Sequence, residues 1–373
     1  MAAPCLAAGT QRHCHIVSDA KVANQRSSGP GTGPDGVPAA IGLSPILSAR
    51  YREKDVERIA AAAPGARLVN LSLEGLADGD LDDVEVLLRG PLPTNVFDRI
   101  LARAPRLMWV HSATAGVERV LTPTALERGL AITNARGVFS DPIAEYVLMM
   151  ILAVSRRLPL LLELQRERTW QPLEGREMAD VTVGVVGLGS IGRRVAELAL
   201  TMGSRVVAIR RHTGREDAGQ TALQDADADD LTALIDMLPP DGLPELMAQS
   251  DFIVLALPLT PETTDLFNAD LLGRAKPGAW LMNVARGALV DERALIRAVR
   301  DGRMGGAVLD AFREEPLPAD SELYMTPNII VTPHTSWSSG RVLDRSIELF
   351  TDNLARFRRG ESLANLVDPT AGY

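Results

Sequence analysis

The sequence predicts an α/β protein built from two doubly wound parallel-sheet domains, on three observations. From about residue 40, short apolar runs alternate with helical segments. A glycine turn flanked by a strand and a helix sits in the middle of the chain, with a complete α/β unit before it. Further short strands then follow in order. At 373 residues the chain is long for a single core, which agrees with two domains.

In the first unit, "ARLVNLSL" and "VEVLLRG" read as buried strands bounded by turn residues. "RLMWVHS" and "AITNARG" follow, with helical "TPTALERG" between them. Asp141 to Arg168 reads as one long helix, bent near Pro159. Its start carries Ser140 or Asp141 as N-cap, Pro142 in the first turn and Glu145 nearby. The second unit begins with "VTVGVVGLGSIGRRVAELALTMGSRVVAIRR", a strand, turn, helix and strand in succession. The strands "DFIVLAL", "AWLMNVA", "GGAVLDAF" and "NIIVTPH" complete it. Between Arg211 and Asp251 lies a long excursion with the acidic "DADADD" and a short helical pattern at "LTALIDML". No chemistry is read into it.

Residues 1–39 are rich in Gly, Ser, Pro and Ala and predict a disordered leader. His13, Cys14 and His15 fall there, and the incidental tail outweighs a metal-binding reading of "HCH". Cys5 and Cys14 are the only cysteines, so a disulfide framework and a thiolate metal site are not expected. No metal site is predicted. The net charge of −9 argues against nucleic acid or an anionic membrane as the main partner. The longest apolar run is interrupted by Arg156, Arg157 and Pro159, so no membrane span is expected. With no signal-peptide order at the start, the cytoplasm is the expected compartment.

"GLGSIG" places Gly187, Gly189 and Gly192 in the G-x-G-x-x-G spacing, in the strand–turn–helix context that gives the pattern meaning. Gly187 permits a tight turn, Gly189 close backbone approach to a pyrophosphate, and Gly192 close helix–strand packing. Ser190 and Ile191 open the helix whose free N–H groups would meet the phosphates. The second strand ends in Arg210 and Arg211, where an NAD site would place a carboxylate for the ribose hydroxyl. Guanidinium groups pair with a 2′-phosphate, so NADP is favoured over NAD. The alternative is a pair of solvated arginines beside an undiscriminating pocket.

"DAFREEPLPADSELYMTPNIIVTPH" holds two adjacent glutamates and a lone histidine on proline-stiffened backbone. It reads either as a solvated loop or as a carboxylate–imidazole proton-transfer pair. From spacing alone, Glu314 and Glu315 are equivalent candidates.

With the mid-chain glycine turn, the motifs "MNVARGALVDE", "DAFREEPLP" and "VTPHTSW" make the chain resemble the D-isomer-specific 2-hydroxyacid dehydrogenases, from about residue 60 onward. The resemblance implies a Rossmann-type cofactor domain (139–334) inserted into a flavodoxin-like substrate domain (40–138 and 335–373). It implies Arg286 as the anchor of a 2-oxo acid and His334 as acid/base. It selects Glu315, through "EPLP", as the carboxylate that orients the histidine. It places Asp310 near the nicotinamide carboxamide. Ala285, Leu257, Pro258 and Thr260 become cofactor contacts, and Ala115 and Gly116 part of the loop that binds the substrate carboxylate. Trp109, His111 and Trp337 either shape that pocket or serve packing. The implied activity is hydride transfer between NADP(H) and a small 2-oxo or 2-hydroxy acid of the D series, with glyoxylate and hydroxypyruvate foremost and a homodimer as the assembly. Two alternatives share the fold: phosphonate dehydrogenase, and a nucleotide-sensing interaction protein.

Overall fold

The computed structural model describes residues 36–46, 51–210 and 233–369. The expected leader up to residue 35, Arg211 and most of the acidic excursion lie outside the described residues.

Five parallel strands form the first sheet: β1 (Ala40–Leu43), β2 (Arg67–Asn70), β3 (Val84–Arg89), β4 (Trp109–Ser112) and β5 (Ala131–Asn134), in the order β2-β1-β3-β4-β5. That is the flavodoxin-like order. The second sheet has seven parallel strands: β6 (Thr182–Val186), β7 (Arg205–Ile209), β8 (Asp236–Leu238), β9 (Phe252–Leu255), β10 (Trp280–Asn283), β11 (Gly306–Leu309) and β12 (Ile329–Val331). Its order, β12-β11-β10-β9-β6-β7-β8, reverses between β6 and β9. This is the Rossmann arrangement, with its ligand crevice at the C-terminal ends of β6 and β9. Helices cover both faces of each sheet, which explains why β1, β3, β4, β9 and β11 are buried along their whole length.

Several local expectations are corrected. The segment read as one helix to Arg168, bent near Pro159, is two helices, α4 (Ser140–Ser155) and α5 (Leu158–Arg166), parted at Arg157, whose φ is +58°. Pro159 stands in the first turn of the second helix, because a proline cannot donate to a continuing helix. Neither Ser140 nor Asp141 caps α4, which has no side-chain cap. Asp141 instead bonds Arg194 at 2.9 Å and Arg345 at 3.1 Å. Part of "LTALIDML" extends the sheet as β8, since its residues pair with the free edge of β7. The last residues of the expected leader are packed: the Ala39 N–H donates to Glu85 at 3.1 Å. The strand β1, which lies between β2 and β3, is too short to single out from its sequence.

The final helix, Val342–Arg359, belongs with the first sheet. Its Ile347, Phe350, Leu354 and Phe357 pack with Ile41, Leu43, Val86, Leu88 and Trp109. Trp109 stacks on Phe357 at 5.5 Å and lies 5.4 Å from Phe350. Trp109 and His111 are therefore core residues, which decides against their shaping a ligand pocket. Both meet one hydroxyl: Thr133 Oγ1 accepts from Trp109 Nε1 at 2.8 Å and lies 2.8 Å from His111 Nδ1. Trp337 is partly buried against the second sheet's core.

Burial pushes the His111 pKa down to about 3. In the unfolded chain the imidazole binds its proton near pH 6.5, so the unfolded state protonates first as the pH falls. Stability attributable to His111 is thus complete above about pH 6.5 and declines toward about pH 3. At about pH 5 the loss is on the order of 2 kcal/mol. Urea titrations of the wild type and His111→Gln at about pH 8 and pH 5 should show a pH-dependent difference of this size; parallel pH responses would contradict it.

Candidate active site

At the crevice of the second sheet, the three motif glycines answer to different demands. Gly187 has φ +98°, and a Cβ there would stand 2.7 Å from the Ala256 carbonyl oxygen. At Gly192 a Cβ would meet the Gly187 oxygen at 2.0 Å. Both are required by the protein's own packing. A Cβ on Gly189 would meet nothing within 4 Å, so its missing side chain answers to no neighbour in the fold. Gly189 is also the N-cap of α6 (Ser190–Thr201), where Ser190 and Ile191 begin the helix. Open space at a helix N-terminus fits a dinucleotide pyrophosphate.

Gly187 N–H donates to Ile209 O at 2.9 Å, which puts the end of β7, and hence Arg210, beside this turn. Arg210 is half-buried and has no ion-pair partner among the described residues. The turn after β9 holds itself together: Thr260 N–H donates to Thr263 Oγ1 at 2.7 Å, and Thr263 Oγ1 donates to Pro258 O at 2.9 Å. Leu257 and Pro258 therefore stand on a braced turn against Gly187, and the Thr260 amide is already engaged.

Beyond β10, Asn283 Nδ2 donates to Arg286 O at 2.9 Å while its Oδ1 accepts from Ala285 N at 3.1 Å. This buried asparagine, which the sequence reading did not single out, fixes the backbone from which Arg286 projects. The Arg286 guanidinium donates from Nη1 to Ala285 O at 2.9 Å and from Nε to Glu118 at 3.1 Å. Its Nη2 lies where a side chain at position 116 would be, 1.8 Å from an ideal Cβ on Gly116. Arg286 and the "SATAG" loop thus meet across the two sheets. Ala115 helps hold that loop, its carbonyl accepting from Asn134 Nδ2 at 2.9 Å.

Gly287 explains how the next loop reaches the same place. A Cβ there would lie 1.9 Å from the Phe312 carbonyl carbon, so the backbone carrying Glu315 packs directly on the backbone after Arg286. The Glu315 carboxylate accepts from Phe312 N–H at 2.9 Å and from His334 Nδ1 at 2.9 and 3.0 Å. A carboxylate only accepts, so the shared proton sits on Nδ1 and Nε2 is left for chemistry. Both glutamates are exposed, so it is the bond to His334 that distinguishes Glu315 from Glu314, the other candidate.

His334 has φ +48°, an uncommon conformation for a residue with a side chain. Asp310, 1% exposed, holds it there. The Asp310 carboxylate accepts from Thr335 N at 2.8 Å, from Ser336 N at 2.9 Å and from Thr332 Oγ1 at 2.6 Å. Tyr146 OH lies 2.7 Å from Thr332 Oγ1. Because Thr332 gives its proton to Asp310, the tyrosine is the donor to Thr332. Burial pushes its pKa up to about 12, which keeps that proton in place. In this structure, then, the Asp310 oxygens serve the histidine loop, a role its sequence position alone does not convey. Among the described residues no group of histidine, cysteine or carboxylate side chains could hold a metal ion. Also among them, no helix is long and apolar enough to cross a membrane.

A Rossmann crevice beside an imidazole–carboxylate pair and a cleft arginine defines a dinucleotide-dependent oxidoreductase. Residues 148–336 match the family model described as D-isomer specific 2-hydroxyacid dehydrogenase, NAD binding domain. A glyoxylate reductase from Korarchaeum cryptofilum is 32% identical over 298 residues, 78% of this chain and 83% of that protein. A D-3-phosphoglycerate dehydrogenase from Mycobacterium tuberculosis is 35% identical over 281 residues, but these are 75% of this chain and only 50% of that protein. Among solved structures, a D-isomer specific 2-hydroxyacid dehydrogenase from Xanthobacter autotrophicus, in complex with NADPH and MES, superposes with TM-score 0.76 at 30% identity, covering 90% of this chain and all of that one. An NADPH-dependent glyoxylate/hydroxypyruvate reductase from Sinorhizobium meliloti, in complex with NADP and sulfate, gives TM-score 0.74 at 27% identity with the same coverage. The chain belongs to the D-isomer specific 2-hydroxyacid dehydrogenase family.

Replacing His334 with Ala should lower turnover by about 10²–10⁴-fold. Gly287→Ala should cost roughly 10²-fold by displacing the Glu315 loop, although it touches no reacting atom. Steady-state rates test both, and wild-type turnover by Gly287→Ala would contradict the close backbone packing.

Proposed function

We propose that this enzyme is an NADPH-dependent reductase of small 2-oxo acids, of the glyoxylate/hydroxypyruvate kind, yielding the D-2-hydroxy acid where C2 becomes chiral. The observation that carries the reading is the His334–Glu315 pair, with Nε2 free and Arg286 lying against Gly116. In this reading Arg286 binds the acid's carboxylate and carbonyl with its fork of donors, helped by the Ala115–Gly116 backbone. The coenzyme, when bound, supplies the hydride to C2. His334 gives the Nε2 proton to the oxygen on C2, and Glu315 stabilises the imidazolium before that transfer. In the reverse direction His334 takes the proton back.

The Gly187–Gly192 turn and the start of the following helix would hold the pyrophosphate, with Leu257, Pro258, Thr260, Ala285 and Asp310 lining the remainder of the coenzyme site. NADP is favoured over NAD by Arg210, which has no carboxylate partner among the described residues, and by Arg211 beside it. The NADPH and NADP in the two solved relatives support the same choice. The substrate domain is assigned to residues 40–138 and 335–373, and the coenzyme domain to 139–334. Packing of the final helix on the first sheet supports the division.

A homodimer is proposed through α5, which has no buried residue of its own. Leu158, Leu160, Leu161 and Leu162 are exposed on it, apolar surface that a second copy would cover, and Met149 and Trp170 are exposed before and after it in the chain. Sedimentation should show a dimer that Leu161→Lys converts to monomer; an unsubstituted monomer would remove the proposal.

Initial rates with NADPH and NADH against glyoxylate, hydroxypyruvate, pyruvate and phenylpyruvate test the central reading. The small acids should turn over fastest with NADPH. Arg210→Ala should weaken NADPH by about tenfold while leaving NADH little changed. Tight coenzyme binding with no turnover of any acid would instead favour a sensing protein or a phosphonate dehydrogenase.

A further inference from the structure

The geometry points to Glu118 as the positioning residue for Arg286, and as the charge that makes the cleft selective for 2-oxo acids with a single negative charge. This rests on the reductase reading above. Arg286 projects from the strand end of β10 in the second sheet, whereas Glu118 follows Gly116 on a loop of the first. Their contact, Nε to Oε1 at 3.1 Å, therefore spans the cleft. The other oxygen of Glu118 lies 2.5 Å from the ideal Cβ position on Gly116, and Arg286 Nη2 lies 1.8 Å from the same point. Guanidinium, carboxylate and the glycine backbone thus converge on one spot.

Two consequences follow from the chemistry of the groups. A guanidinium has five N–H donors in a rigid plane. Glu118 engages Nε, and Ala285 O engages one proton of Nη1. Among the described residues no hydrogen-bond acceptor is taken by Nη2, which faces Gly116. Glu118 therefore sets which edge of Arg286 is presented to substrate. Because carboxylate and guanidinium neutralise one another, the substrate's own carboxylate enters a site of low net charge. A second anionic group on the substrate would be repelled by the Glu118 carboxylate.

The ion pair is about half-exposed, with side-chain exposures of 35% and 45%, so it adds little to the stability of the fold. Its loss should be read in catalysis. Glu118→Gln keeps an oxygen that accepts from Nε and removes the charge, while Glu118→Ala removes both. Steady-state kinetics of the wild type and both variants, with NADPH and either glyoxylate or the dianionic 2-oxoglutarate, separates the two roles. Thermal melting and NADPH titration report on folding and coenzyme binding.

For Glu118→Ala, kcat should fall by about tenfold or more with both acids, because the guanidinium loses its orientation. Glu118→Gln should recover most of that loss. It should also raise kcat/KM for 2-oxoglutarate relative to glyoxylate by about tenfold. Equal kcat in the two variants and the wild type, with an unchanged ratio between the acids, would overturn the assignment while leaving the reductase reading intact. No turnover of any 2-oxo acid by the unsubstituted enzyme would overturn the reductase reading and this role with it.

Discussion

One buried carboxylate organises the acid/base half of the site. Asp310 stands just beyond the end of β11 and accepts from groups on either side of His334, through Thr332, Thr335 and Ser336. Burying a carboxylate this completely is unfavourable unless its oxygens are filled by donors, and here the donors are the loop itself. Carboxylate and loop therefore require each other. The left-handed backbone at His334 persists because these bonds over-determine it. With the ring thus aimed, Glu315 has only to hold Nδ1.

The same economy of backbone contact builds the rest of the cleft. Gly287 lets two loops of the second sheet share one wall, and Asn283 ties the arginine's own backbone at both ends of its turn. Opposite this wall, Gly116 and Glu118 come from the first sheet. The coenzyme end follows a different logic. There Gly187 and Gly192 satisfy packing, and Gly189 alone leaves space that the protein does not use. Motif glycines that look alike in sequence thus divide into structural and ligand-facing ones once their neighbours are known.

Much of this was legible in the residues. Strand and helix alternation announced both parallel sheets, because strands buried on both faces read as short apolar runs. The glycine spacing located the crevice, and the proline-framed segment located His334, with the family resemblance choosing Glu315 over Glu314. Less legible were features set by tertiary pairing. The short strands β1 and β8 are defined by their neighbours in the sheet more than by their own pattern. Arg157 breaks the long helix two residues ahead of the proline that signals a break. Asp310 and Glu118 are ordinary acidic residues in the sequence, and their meaning comes from what faces them, 22 to 26 positions on for Asp310 and across the cleft for Glu118. His111 looked as available for a pocket as for a core until its burial beside Trp109 and Phe350 was seen.

The packing of Trp109 on Phe350 and Phe357 also bears on how the molecule is made. A ribosome delivers the strands of the first sheet early and the helix that covers one of their faces last. The second sheet, contiguous in the chain, can close on itself in between. Until the final helix emerges, Ile41, Val86 and Trp109 lack the cover that Ile347, Phe350, Leu354 and Phe357 give them. The part of the protein synthesised first thus completes its core last, and it is the part whose apolar surface a nascent chain must keep from aggregating.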